Sequence, residues 1–102
     1  MNCDICIHIP HGRCNVTLDV REYVVNALYV KEAYRRQGTG KRLLRLACGV
    51  ISGLGGKEAV LYTEKDGAAW PHAWYLRYGF RDVPPEPEYA DGYFKMVHDT
   101  HG

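Results

Sequence analysis

The segment of this sequence best suited to chemistry is a run of basic and small residues, Arg35-Arg36-Gln37-Gly38-Thr39-Gly40-Lys41. Small residues in succession let the backbone curl until several N–H groups converge, which makes a nest for an anion. Gly38 and Gly40 carry no Cβ to hold a phosphate away from the main chain. A helical pattern begins at this point, so the positive end of a helix dipole adds to the same field. The expectation is a pyrophosphate site. A P-loop would need glycine at position 35 and Ser or Thr at 42, and Arg35 and Arg42 stand there. A dinucleotide fingerprint would need a third glycine where Leu43 stands.

Cys3, Cys6, His11 and Cys14, with His8 in reserve, have the residue types of a zinc knuckle. Strand periodicity argues against it. Ile5, Ile7 and Ile9 alternate with Cys6 and His8, and a strand sets Cys3 and Cys6 on opposite faces. No metal is expected.

The elements that must position the glycine loop follow from the pattern. Residues 3 to 9 and 14 to 21 alternate as two strands about the turn Pro10-His11-Gly12-Arg13, and residues 23 to 30 form a third. After the loop, Leu43, Ala47, Val50, Ile51 and Leu54 recur at helical spacing, and Gly53, Gly55 and Gly56 end the helix. Ala59 to Thr63 reads as a buried strand and Trp70 to Tyr78 as a second helix, with Pro71 in its first turn. Phe80 to Val83 and Tyr93 to His98 are the last strands. The order is β-β-β-α-β-α-β-β in one domain, residues 1–102. The fold class is α+β, of three-layer α/β type: a mixed, mostly antiparallel sheet flanked by two helices.

Ala27 to Leu44, which contains the glycine loop, resembles the main coenzyme A motif of the GNAT acetyltransferases, with Arg35, Gly38 and Gly40 at its fixed positions. Ala73-Trp74-Tyr75-Leu76-Arg77-Tyr78-Gly79-Phe80 resembles that family's second signature, and Gly92 to Val97 its final strand. The resemblance implies that an acetyl group passes from acetyl-coenzyme A to an amine. It implies that Leu28, Tyr29 and Val30 hold the pantetheine arm and the acetyl carbonyl through backbone groups. Arg35, Arg36, Gln37, Gly38, Thr39, Gly40 and Lys41 would hold the pyrophosphate, and Tyr75, rather than Tyr78, would be the general acid.

The sequence also departs from that family. Val25 stands where protein-acetylating relatives place a glutamate base; Asn26 cannot serve, and Glu22 and Asp19 are the nearby carboxylates. Ala68 replaces an asparagine that many relatives carry. About 22 residues precede the third strand, so the usual first strand and two helices are expected to be missing. The acceptor side is then open, with Trp70, His72 and Trp74 as candidates to line it, or else covered by another molecule. The alternative function is a degenerate domain that binds coenzyme A or a protein without turnover.

Composition bounds the rest. The chain has 102 residues, 46% of them hydrophobic, with eight tyrosines to help a short chain fill a core. A formal charge of +1, with no aromatics interleaved in the basic cluster, argues against a nucleic-acid partner. No apolar run reaches membrane length and the N-terminus does not read as a signal peptide, so a cytoplasmic location with reduced cysteines is expected. A homodimer is expected, through the hairpin at residues 3 to 21 or the last strand.

Overall fold

The computed structural model describes residues 3–19, 22–65 and 70–100. Strands β1 (Cys3–Ile9), β2 (Gly12–Asp19) and β3 (Glu22–Val30) precede helix α1 (Thr39–Gly53). Then come β4 (Glu58–Glu64), α2 (Trp70–Tyr78), β5 (Arg81–Val83) and β6 (Tyr93–Asp99), with short 3-10 turns at Glu32–Tyr34 and Pro87–Tyr89. The order is the one expected. The strands form one sheet in the order β1-β2-β3-β4-β6-β5. All its pairs are antiparallel except β3 with β4, which α1 connects as a crossover.

Alternation along the strands decides where the core lies. Cys14 and Val16 of β2, Val25 of β3, Ala59 and Leu61 of β4 and Met96 of β6 are buried together with Leu43, Leu44, Ala47, Cys48 and Ile51 of α1. Trp74, Tyr75 and Tyr78 of α2 pack on the same cluster. Both helices therefore cover one face of the sheet, and among the described residues the layers number two rather than three. The hairpin shows why the other face tolerates water: Ile5 pairs with Val16 and Ile7 with Cys14, so Asp4, Cys6, His8, Arg13, Asn15 and Thr17 all point away from the helices.

The helix-free face still needs fastening at its centre, where Val60 and Val97 are buried. A polar cluster does this. The Tyr62 hydroxyl lies 3.0 Å from Glu22 Oε2 and 3.1 Å from Glu86 Oε2. Lys95 Nζ donates to Glu22, and to Glu86 Oε1 at 2.8 Å. Strands β3, β4 and β6 and the segment before Pro87 are thus tied by one set of charges.

Two expectations shift. Leu54 is 53% exposed and caps α1 rather than joining its buried face. Leu44 and Cys48 are buried in its place, because α2 packs beside α1 and turns the buried arc toward itself. The junction between the second and third strands, which the sequence left open between a bulge and a tight corner, falls on residues 20–21, outside the described residues. A bulge is found instead within β3: β2 and β3 lose register between Arg13 and Asn15, and Ala27 takes φ 53°.

Candidate active site

That bulge shapes the site. Strands β3 and β4 register at a single pair, Val24 with Val60, and the rest of β3 diverges from its parallel neighbour. Beyond Val24 the main chain of β3 therefore has no ladder partner in β4, though Tyr29 and Val30 still pair with Arg13 and Gly12 of β2. A cavity of about 200 Å³ opens in the divergence, lined by residues 24 to 28 with Leu61, Tyr62 and Tyr75. An open strand edge beside a cavity can take an extended, amide-bearing chain as an added strand.

The glycine loop stands at the mouth. Arg36 takes φ 67° and Gly38 φ 82°, positive torsions two residues apart that curl the chain as a nest requires. Gly38 is the N-cap of α1, and the first helical bond runs from Arg42 N to Gly38 O at 3.0 Å. The amides of Thr39, Gly40 and Lys41 thus precede the bonded ladder, as orphan donors of a helix start do. A Cβ on Gly38 would meet nothing within 4 Å, so space in front of the nest is free. Gly40 serves packing: a Cβ there would sit 3.1 Å from the Trp74 ring. Arg35 turns inward, its Nε donating to Val30 O at 3.0 Å and fixing where the strand becomes the loop. The hairpin tip buttresses this turn, with His11 stacked on Tyr34 at 3.4 Å and Lys31 N bonded to His11 O at 2.9 Å. The free amides, the space before them and the open strand edge fit a pyrophosphate bearing a pantetheine arm.

Tyr75 reaches the cavity from α2, wedged edge-on against Trp74 and Phe80. Burial, with a smaller contribution from Cys14, holds its phenol above the ordinary tyrosine range. Tyr78 packs away from the cavity, against Phe80 and His98. Tyr75 and Leu28 therefore share one space, while Tyr29 is 47% exposed on the helix-free face with the Arg13 guanidinium over its ring. Of the candidate bases Glu22 and Asp19, only Glu22 has a described side chain. Glu22 is engaged by Tyr62 and Lys95, and Asn26 lines the cavity with its amide donating to Thr17 at 2.8 Å. His72 binds Asp82 and stacks on Phe94, which makes it part of the helix packing. Ala68 and the side chains of Cys3, Asp19 and Trp70 fall outside what the structure describes. Cys6 and Cys14 lie on opposite faces of the hairpin.

Two residues escaped the sequence reading. Tyr62 lines the cavity from β4, and Thr63 beside it is buried with its hydroxyl unbonded among the described residues. The signal for Thr63 was a lone hydroxyl ending the apolar run from Ala59; nothing in the spacing marked Tyr62.

Comparison with known proteins bears on the fold and the family. No curated protein sequence matches the chain. A solved PaiA N-acetyltransferase from Thermoplasma acidophilum, in complex with coenzyme A, superposes with a TM-score of 0.75 at 19% identity, over 96% of this chain and 60% of its own. The ribosomal-protein alanine N-acetyltransferase from Escherichia coli gives 0.66 at 20% identity, over 88% of this chain and 61% of its own. The chain thus spans about three fifths of either enzyme. An anti-CRISPR protein gives 0.68 at 17% identity, over 90% of this chain and 96% of its own, so a fold of this reduced extent also stands in another solved structure. The family model for the GNAT acetyltransferase domain matches residues 4–82. The chain belongs to the GNAT acetyltransferases, a family of acyltransferases that draw on an acyl-coenzyme A cosubstrate.

Proposed function

We propose that this protein transfers an acetyl group from acetyl-coenzyme A to an amine by direct attack, with no acyl-enzyme step. The observation that carries the proposal is the divergence of β3 from β4, with the positive-φ loop after it and Tyr75 in its cavity. The main chain of Arg35, Arg36, Gln37, Gly38, Thr39, Gly40 and Lys41 holds the pyrophosphate. Backbone groups of Leu28, Tyr29 and Val30 pair with the pantetheine arm, and an amide there faces the carbonyl oxygen as it gains charge. Bound acetyl-coenzyme A supplies the thioester. Tyr75 gives its phenolic proton to the departing sulfur, a transfer that its raised pKa keeps possible at neutral and mildly alkaline pH.

Among the described residues no free carboxylate lines the cavity, so the acceptor amine enters partly neutral or loses its proton to water. Free thiols at Cys6, Cys14 and Cys48 suit the reducing cytoplasm where such a cosubstrate is made. Release of free thiol from acetyl-coenzyme A against a panel of amines tests the reaction. Calorimetric binding of acetyl-coenzyme A with no thiol release under any amine would favour instead the second reading, a domain that binds without turnover.

A further inference from the structure

The two edges of the sheet are not alike. One is β5, three residues long, and short edge strands are a common defence against unwanted pairing. The other is β1, seven residues in unbroken register with β2, carrying no proline, no lysine and no bulge. Among the described residues β1 pairs with β2 alone. The last strand, β6, lies inside the sheet between β4 and β5 and offers no edge, which removes it as a pairing surface.

Apolar surface lies at this edge and on the elements just behind it. Ile5 and Leu18 of the hairpin are 36% and 38% exposed on the helix-covered face. Leu46 is 40% exposed. By the turn of the helix it shares the flank of Thr39 and Leu43, the two side chains that close on Gly12.

We infer that a second copy of this chain covers this surface, its β1 antiparallel to the first about a two-fold axis at Cys6. The strand is self-complementary in that register. Asp4 of each copy faces the partner's His8, so a carboxylate meets an imidazole twice on the helix-free face. Ile5 faces the partner's Ile7 on the other face, continuing the apolar flank across the junction. A shift of two residues sets Asp4 or His8 against the partner's Cys6, and a shift of one turns the isoleucines to the wrong face. The two sheets then join into one, with both helix layers on the same side.

The test does not depend on catalysis and is made without acetyl-coenzyme A. Sedimentation equilibrium of the full chain at micromolar concentration gives a two-chain mass. Mild oxidation of the Cys3→Ser variant gives a covalent dimer through Cys6, which Cys6→Ser removes without changing the sedimented mass under reduction. His8→Asp sets like charges against each other twice and raises the dissociation constant about tenfold. Adding Asp4→His restores the pairing in reversed order, a rescue that only this register gives. A single-chain mass overturns the inference, as does a two-chain mass indifferent to His8→Asp or lacking the Cys6 bond.

Discussion

Tyr75 and Tyr62 both line the cavity, and their hydroxyls are in opposite situations. That of Tyr62 is committed to Glu22 and Glu86, and burial, reinforced by these two carboxylates, holds its pKa far above the ordinary value. That of Tyr75 has no partner among the described residues. Tyr75→Phe is therefore expected to lower turnover by roughly a hundred- to ten-thousandfold, the usual contribution of a general acid, with acetyl-coenzyme A affinity kept. Tyr78→Phe should leave turnover nearly unchanged; the reverse pattern in thiol-release kinetics would reassign the acid. Because burial raises the Tyr75 phenol, the rate should not fall with rising pH until beyond about pH 10, the ordinary tyrosine value. Thr63 is the other residue with an open question of chemistry. A buried, unbonded hydroxyl costs about 1–3 kcal/mol. Thr63→Val should thus stabilise the unliganded fold in urea melts, and a simultaneous loss of cofactor affinity would show that the hydroxyl meets the pantetheine arm.

At the scale of elements, the cluster of Tyr62, Glu22, Glu86 and Lys95 clamps strands on the face that no described helix covers. Burial lowers the Lys95 ammonium, but the two carboxylates outweigh it and the pKa ends raised. The Lys95 hydrogen bond, then Glu86's own amide, lowers Glu86. The signs set the window. Stability from Glu86 is present above the ordinary carboxylate range and lost as pH falls through its lowered value. That from Lys95 is present below the ordinary lysine value and lost as pH rises through its raised one. Lys95→Met should lower the melting temperature at neutral pH by about 5 °C and weaken the acid dependence, as thermal melts at several pH values would show. Element types and order were legible because period-2 and period-3.6 patterns are local. The cluster was not, since its members are scattered between positions 22 and 95 and meet only when β3, β4 and β6 lie side by side.

For the whole molecule, the proposed site joins the nest to the strand divergence and exists only in the folded state, so a ligand held there must stabilise the fold. Acetyl-coenzyme A at a hundred times its dissociation constant should add about 2.7 kcal/mol and raise the melting temperature by roughly 10–20 °C. Gly38→Glu should abolish the shift by placing a side chain and a negative charge in the open space before the nest. Gly38→Ala separates backbone strain from that blockade: at φ 82° it costs about 1 kcal/mol of stability and keeps most of the binding. A full thermal shift in a folded Gly38→Glu variant would mean that the loop does not hold the ligand. Gly40 is a poorer probe, because any side chain there strikes Trp74.

The sequence by itself determined the periodic elements, the glycine loop and the hairpin's division into an isoleucine side and a polar side, because each rests on neighbours a few positions apart. Tertiary structure alone decided that Ala27 would bulge and that β3 would part from β4 beyond Val24. It also decided that Leu44 and Cys48 would be buried where Leu54 was expected, and that β6 would be interior while β1, among the described residues, kept a free edge. These depend on which strand lies beside which and where α2 leans on α1, contacts between distant residues that no local spacing encodes.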